Sequence, residues 1–101
     1  MTIFIIGDSD KPYMFNDAEM VISFYGHIPL NPTRIPEIWT IQEAMLDVSD
    51  ALLLLKGWEK SPLAVKQYNY AKEDNKHVIF YSAKSERTTR EAFKKLEKYG
   101  G

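Results

Sequence analysis

The chain contains no cysteine, which excludes a disulfide framework and any zinc–thiolate centre. It also lacks an excess of charge of either sign. The 13 basic residues are matched by 14 acidic ones, and the net charge is −1. That balance argues against a general electrostatic grip on polymeric nucleic acid or on an anionic membrane. A mononucleotide, which needs only a local site, stays open. Long apolar runs are missing as well: the longest, Ala51 to Leu55, is far too short to span a bilayer. The amino-terminal residues have neither the basic region nor the apolar segment of a signal peptide, so the expected location is cytoplasmic. No His/Asp/Glu cluster has metal-ligand spacing, and no cofactor is implied. There is no internal repeat and no low-complexity segment. What remains is a chain of 101 residues, 45% hydrophobic, sufficient for one core and read as one domain over residues 1–101.

The stretch Asp50 to Ala71 organises the rest. The apolar run from Ala51 to Leu55, closed by Lys56-Gly57, reads as a strand buried on both faces. A short polar loop, Gly57 to Lys60, follows. Ser61-Pro62 then opens a helix, with Ser at the N-cap and Pro at the first helical position, where its missing N–H costs nothing. Open α/β sheets place their ligands at such a strand–loop–helix junction, beyond the carboxyl ends of the strands. The loop from Gly57 to Ser61 is therefore expected to touch a bound small molecule.

Upstream, Thr2 to Ile6 is a β-branched and aromatic run stopped by Gly7, a first buried strand. Gly7, Asp8, Ser9 and Asp10 form a loop, where Gly7 either turns the chain or lets a ligand approach the backbone. From Tyr13 or Met14 to Tyr25, apolar residues Phe15, Ala18, Val21, Ile22 and Tyr25 fall at helical spacing. Gly26 follows where a helix end favours a left-handed residue. His27 to Leu30 is a short strand, and Pro29 gives it an edge position. Prolines 29, 32 and 36 hold the next segment extended. In it, Asn31 and Arg34 read as ligand contacts or as ordinary loop residues. Glu37 to Val48 reads as a second helix with Ile41, Ala44, Met45 and Val48 on one face. Thr40-x-x-Glu43 fits a capping box that would start regular helix at Ile41.

Downstream, the helix from Pro62 to about Asp74 buries Ala64, Val65, Tyr68 and Ala71, with Gln67 and Tyr70 to the side. His77 to Tyr81 is a fourth strand. Glu86 to Lys98 is a last helix carrying Ala92, Phe93, Leu96 and Tyr99 on one face. Thr88-x-x-Glu91 forms a second capping box, and residues 99–101 form a frayed end. The order β-α-β-α-β-α-β-α implies an α/β, flavodoxin-like (Rossmann-like) three-layer sandwich. Its parallel sheet has four strands in the order 2-1-3-4, with the switch point between strands 1 and 3.

Four pieces of this chain together resemble the nucleoside 2-deoxyribosyltransferase superfamily, especially its small phage and bacterial members. They are the first strand ending in Gly7; Ala18-Glu19 through Gly26-His27-Ile28-Pro29-Leu30-Asn31-Pro32; Asp50-Ala-Leu-Leu-Leu-Leu-x-Gly57-Trp58-Glu59-x-Ser61; and Tyr70-Ala71 with His77-Val-Ile-Phe80. The likeness covers residues 2 to 82. It implies a flavodoxin-like, usually homo-oligomeric domain that binds nucleosides or nucleotides and, in active members, cleaves the N-glycosidic bond. In such members a glutamate attacks the anomeric carbon, and a carboxylate suits an oxocarbenium-like transition state.

In the family pattern that glutamate lies six residues after the loop serine, and this chain has Gln67 there. A second family carboxylate lies eight residues before the Asp that begins the central strand, and this chain has Gln42. A glutamine amide is neutral and a poor nucleophile, so the catalytic positions are read as degenerate. Leu63 stands where relatives often have glycine and would narrow the pocket. By the same likeness Ser61 corresponds to a serine that contacts a 5′-phosphate, which a helix N-terminus makes plausible; otherwise it only caps its helix. Asp8 and Asp10 stand opposite and would repel a dianion. Trp58 either stacks on a base or packs at the strand end. Glu43 and Glu59 are the nearest substitute carboxylates, though both fit surface or capping roles. Asp50, His27 and His77 fall at strand starts, away from the ligand end.

Three functions follow as expectations. The first is a nucleoside- or nucleotide-binding domain without catalysis, its ligand contacts drawn from Gly7, Asp8, Ser9, Gly57, Trp58, Glu59 and Ser61. The second is an N-glycosidase or deoxyribosyltransferase with rearranged catalytic groups. The third is a phage-type interaction module with a vestigial pocket that contacts a host protein.

Overall fold

The computed structural model describes residues 1–81 and 90–95. Strands β1 (Thr2–Ile6), β2 (Ile28–Leu30), β3 (Ala51–Leu55) and β4 (His77–Tyr81) alternate with helices α1 (Pro12–Phe24), α2 (Trp39–Val48) and α3 (Pro62–Ala71). All strand pairs are parallel, in the order β2-β1-β3-β4, as the alternation predicts. The register sets Ile3 beside Ala51 and Ile6 beside Leu54, and Leu52 beside Val78.

The central strands are apolar from Ile3 to Ile6 and from Ala51 to Leu55 because both of their faces are covered. Ile3 to Ile6 and Ala51 to Leu55 are almost wholly buried. Their alternate side chains divide into two cores. Ile3, Ile5, Leu53 and Leu55 meet Phe15, Ala18 and Ile22 of α1, together with Phe93. Phe4, Ile6, Leu52 and Leu54 meet Leu46 of α2 and Ala64 and Ala71 of α3. Full burial of each such side chain is worth about 1.5–3 kcal/mol, so the two cores, rather than surface pairs, hold the sheet.

The helix ends follow local chemistry. Pro12 opens α1 one turn position earlier than the apolar spacing alone suggests, with Lys11 at the cap. At the other end Gly26 takes φ +82°. Its N–H donates to Ser23 O, and the N–H of His27 donates to Ile22 O, a Schellman closure. Ser61 caps α3, its Oγ accepting from Ala64 N at 3.2 Å. A short 3-10 turn, Lys72–Asp74, ends at Asn75 with φ 54°, so the chain leaves the helix where the sequence indicated. Residues 90–95 are helical, and the Phe93 ring stacks on Tyr25 with centroids 4.5 Å apart. The Thr88 capping box, Leu96, Tyr99 and the frayed end lie outside the described residues.

Two faces differ from the sequence reading. The proposed α2 stripe is turned outward: Ile41 is 37% and Val48 66% exposed, while Gln42 and Leu46 are buried. The helix is rotated by one residue, roughly 100°, because Gln42 points inward to a polar partner on α3. No capping box forms at Thr40 either. Ile38 is the cap, without a side-chain bond, and α2 starts at Trp39. On α3 the buried stripe is Ala64, Gln67 and Ala71, so Gln67 lies within it and not beside it, while Val65 and Tyr68 are half-buried.

The amino ends of the strands are closed off. The Asp50 carboxylate accepts from Thr2 N at 2.9 Å, and Asp50 N donates to Thr2 O at 2.7 Å. Asp50 thus splices β1 to β3 and has a structural role, as its position predicted. Among the described residues, no helix is long and apolar enough to cross a membrane.

Candidate functional site

A cleft of about 300 Å³ opens at the carboxyl ends of the strands, within the range of small-molecule sites. Five segments build it. Gly7 and Ser9 come from the loop after β1 and Phe15 from α1. Pro32, Thr33, Ile35 and Glu37 come from the segment between β2 and α2. Gln42 and Gln67 close it from α2 and α3, with Leu63 beside them.

Gln42 and Gln67 are 25 residues apart in sequence, yet Gln67 Nε2 donates to Gln42 Oε1 at 2.8 Å. Each residue is 2% exposed. The bond ties α2 to α3 and satisfies one polar atom of each amide. The other two, Gln67 Oε1 and Gln42 Nε2, have no hydrogen-bond partner among the described residues, yet neither is sealed from accessible space. The two amides, which both line the cleft, therefore keep one hydrogen-bond acceptor and one donor group outside their mutual bond. Flipping both amides reverses the bond and exchanges the two groups. Two carboxylates at this separation could not both ionise; two amides need no shared proton.

The opposite wall is fixed by a polar network. Arg34 grips Glu19 of α1 through Nε and Nη2, each at 2.8 Å. Asn31 Nδ2 donates to the same carboxylate at 2.9 Å. The Asn31 side-chain oxygen in turn accepts from Thr33 N at 3.0 Å and Thr33 Oγ1 at 2.6 Å. The side-chain bond from Arg34 is the main cause that holds the Glu19 carboxyl below its ordinary range; burial opposes it and the Asn31 bond adds to it. Asn31 and Arg34 thus spend their side chains clamping the wall segment to α1. Only Thr33, at the end of that chain of bonds, lines the cleft.

The sequence-predicted residues divide accordingly. Gly7, Ser9, Gln42 and Gln67 line the cleft, whereas Asp8, Gly57, Trp58, Glu59 and Ser61 are not among its lining residues. The reason is local. After Gly57, at φ +84°, residues Trp58–Lys60 wind into a 3-10 turn. That turn lays the Trp58 ring on Tyr68, centroids 4.9 Å apart, against the second core. Trp58 therefore packs at the strand end. Glu59 is exposed, and the Ser61 hydroxyl is engaged in its cap. Asp8 folds back on its own loop, accepting from Asp10 N at 3.0 Å. Glu43 does not line the cleft either.

Sequence reasoning passed over Phe15 and Thr33 as site residues, and Glu37, the one carboxylate among the lining residues. Proximity of the proline-rich segment to the switch point was the signal available for Glu37. Gly7 has no room for a side chain: a Cβ there would stand 2.7 Å from Leu55 Cδ1. Its absence keeps β1 and β3 close beneath the cleft. Among the described residues, no group of three or more His, Asp or Glu could hold a metal ion.

A doubly wound parallel sheet with a polar cleft at its switch point defines the class: a Rossmann-like α/β domain with a cleft of small-molecule size. Residues 4–80 match the family DUF4406, a domain of unknown function, and the chain belongs to that family. Searches of curated proteins and of solved structures give no significant match.

Proposed function

We propose that this DUF4406 domain binds a nucleoside or nucleotide in the cleft and does not cleave it. The observation that carries this reading is the buried Gln42–Gln67 amide pair. A glycosyl transfer with an oxocarbenium-like transition state needs a carboxylate beneath the anomeric carbon and a second acid or base. The cleft instead presents a neutral acceptor and a neutral donor, groups suited to reading a base edge or a sugar hydroxyl without reacting. An active glycosidase with rearranged groups has a single lining carboxylate, Glu37, to work with. One carboxylate does not supply both roles.

The test is an NMR titration of labelled protein with deoxynucleosides and their monophosphates, observing protein and ligand together. The reading expects shifts at Gly7, Thr33 and the two glutamine side chains with ligand intact. Release of free base well above background refutes it.

A second copy of the chain is also proposed as a partner. Met20 and Phe24 on α1, like Ile41 and Val48 on α2, are large apolar side chains left exposed, which suits faces covered on association. A monomer by sedimentation at high protein concentration would remove that proposal.

A further inference from the structure

The lining of the cleft also bears on the charge of its ligand. Among the described residues, no Lys or Arg side chain lines it. Arg34, the cation of the wall segment between β2 and α2, bonds Glu19 twice at 2.8 Å. The one ionisable group in the lining is the carboxylate of Glu37.

A helix N-terminus offers four N–H groups without intrahelical partners, the usual anion site of such a junction. Here most of them are spent. Ser61 N donates to Trp58 O at 3.1 Å. Pro62 has no N–H. Ala64 N donates to Ser61 Oγ at 3.2 Å. Leu63 N alone is left, and its side chain stands in the cleft. From α3 a phosphate dianion seated here would find one backbone donor; the lining adds the Ser9 hydroxyl, no cation, and the Glu37 carboxylate.

We infer that the cleft is specific for an uncharged, hydroxyl-bearing ligand, the nucleoside and not its monophosphate, and that Glu37 is the specificity-determining residue. The inference rests on the binding reading above. Glu37, as an acceptor-only side chain at neutral pH, takes a hydrogen bond from a sugar hydroxyl. It rejects a phosphate by like-charge repulsion, while Gln42 and Gln67 supply the neutral donor and acceptor. Glu37 itself is exposed, so its replacement leaves the fold intact.

The experiment titrates labelled protein with thymidine and thymidine 5′-monophosphate, then with the adenine, guanine and cytosine 2′-deoxynucleosides and their 5′-monophosphates. It is done at low and high salt, in the wild type and in Glu37→Gln. The expected result is a nucleoside Kd at least about tenfold below that of its monophosphate at low salt, which corresponds to about 1.4 kcal/mol. The gap narrows in Glu37→Gln and at high salt, with cross-peaks elsewhere unmoved. A monophosphate that binds as tightly as its nucleoside, or a gap that Glu37→Gln leaves unchanged, overturns the inference and leaves the binding reading standing. Failure of every nucleoside and monophosphate to bind overturns both.

Discussion

The Gln42–Gln67 bond makes a prediction with a distinctive sign. Both side chains are 2% exposed and their bond is 2.8 Å long. Gln42→Leu leaves Gln67 Nε2 without its acceptor, and Gln67→Leu leaves Gln42 Oε1 without its donor. An orphaned buried polar group costs about 1–3 kcal/mol, whereas replacing both partners by apolar groups of like size is nearly neutral. The remaining amide atoms reach accessible space, so water offsets part of the loss, and each single variant is expected to cost about 1–2 kcal/mol. Independent effects would sum to about 2–4 kcal/mol, but the double variant is expected to lose no more than about 1–2 kcal/mol, a coupling of the size typical for residues in contact. Urea denaturation reads this directly. With a slope of about 1–3 kcal/mol per molar, each single variant lowers the midpoint by about 0.3–2 M and the double variant lowers it no further. Strict additivity, or single variants as stable as the wild type, would refute the claim that the two amides form one buried unit. The double variant should also lose the nucleoside shifts while keeping its fold.

Two further outcomes follow from the same framework. Gly7→Ala places a Cβ 2.7 Å from Leu55 Cδ1 and 3.0 Å from Leu55 Cβ. The second atom is fixed to the backbone of β3, so the strands must part; the expected loss is about 1–3 kcal/mol, read as a Tm lower by roughly 4–8 °C per kcal/mol. Glu19 is held below its ordinary range chiefly by the bond from Arg34. Its contribution is therefore fully present above the unfolded carboxylate pKa, about 4.3, and is lost as pH falls through the lower folded value. Glu19→Gln removes that contribution, so the difference in urea midpoint between wild type and variant should shrink on acidification. A difference constant with pH would count against the ion pair.

Much of the fold is legible because it rests on local signals. The continuous apolar run of β3 requires two covered faces, and it has them. Ser61-Pro62, Gly26 and Asn75 each mark a helix end through their own backbone or side-chain chemistry, and each end falls there. Pro29 marks an edge strand because it cannot donate to a second neighbour. The alternation of strands and helices then leaves a right-handed, parallel sheet as the simple solution.

The faces of α2 and α3 were not legible in this way, and neither was the site. The Ile41/Ala44/Val48 stripe is as apolar as a core stripe, but hydrophobic spacing cannot register that Gln42 has a buried partner on another helix. Gln42 faces inward with Leu46 on α2, and Gln67 lies in the buried stripe of α3 with Ala64 and Ala71, where the two amides meet. The Gly57–Ser61 loop was read as a ligand contact from its place after the central strand. The 3-10 turn and the Trp58–Tyr68 contact lay the Trp58 ring against the second core, and the loop is not among the residues that line the cleft. Sequence by itself determined the order of the elements, the helix ends marked by Gly26 and Ser61-Pro62, and the neutral chemistry at positions 42 and 67, since these depend on neighbouring residues and residue type. Tertiary structure alone decided that the two glutamines meet, that Asn31, Arg34 and Glu19 clamp one wall, and that Glu37 becomes the lining carboxylate. Each of these depends on contacts between segments distant in sequence, and no local pattern encodes them.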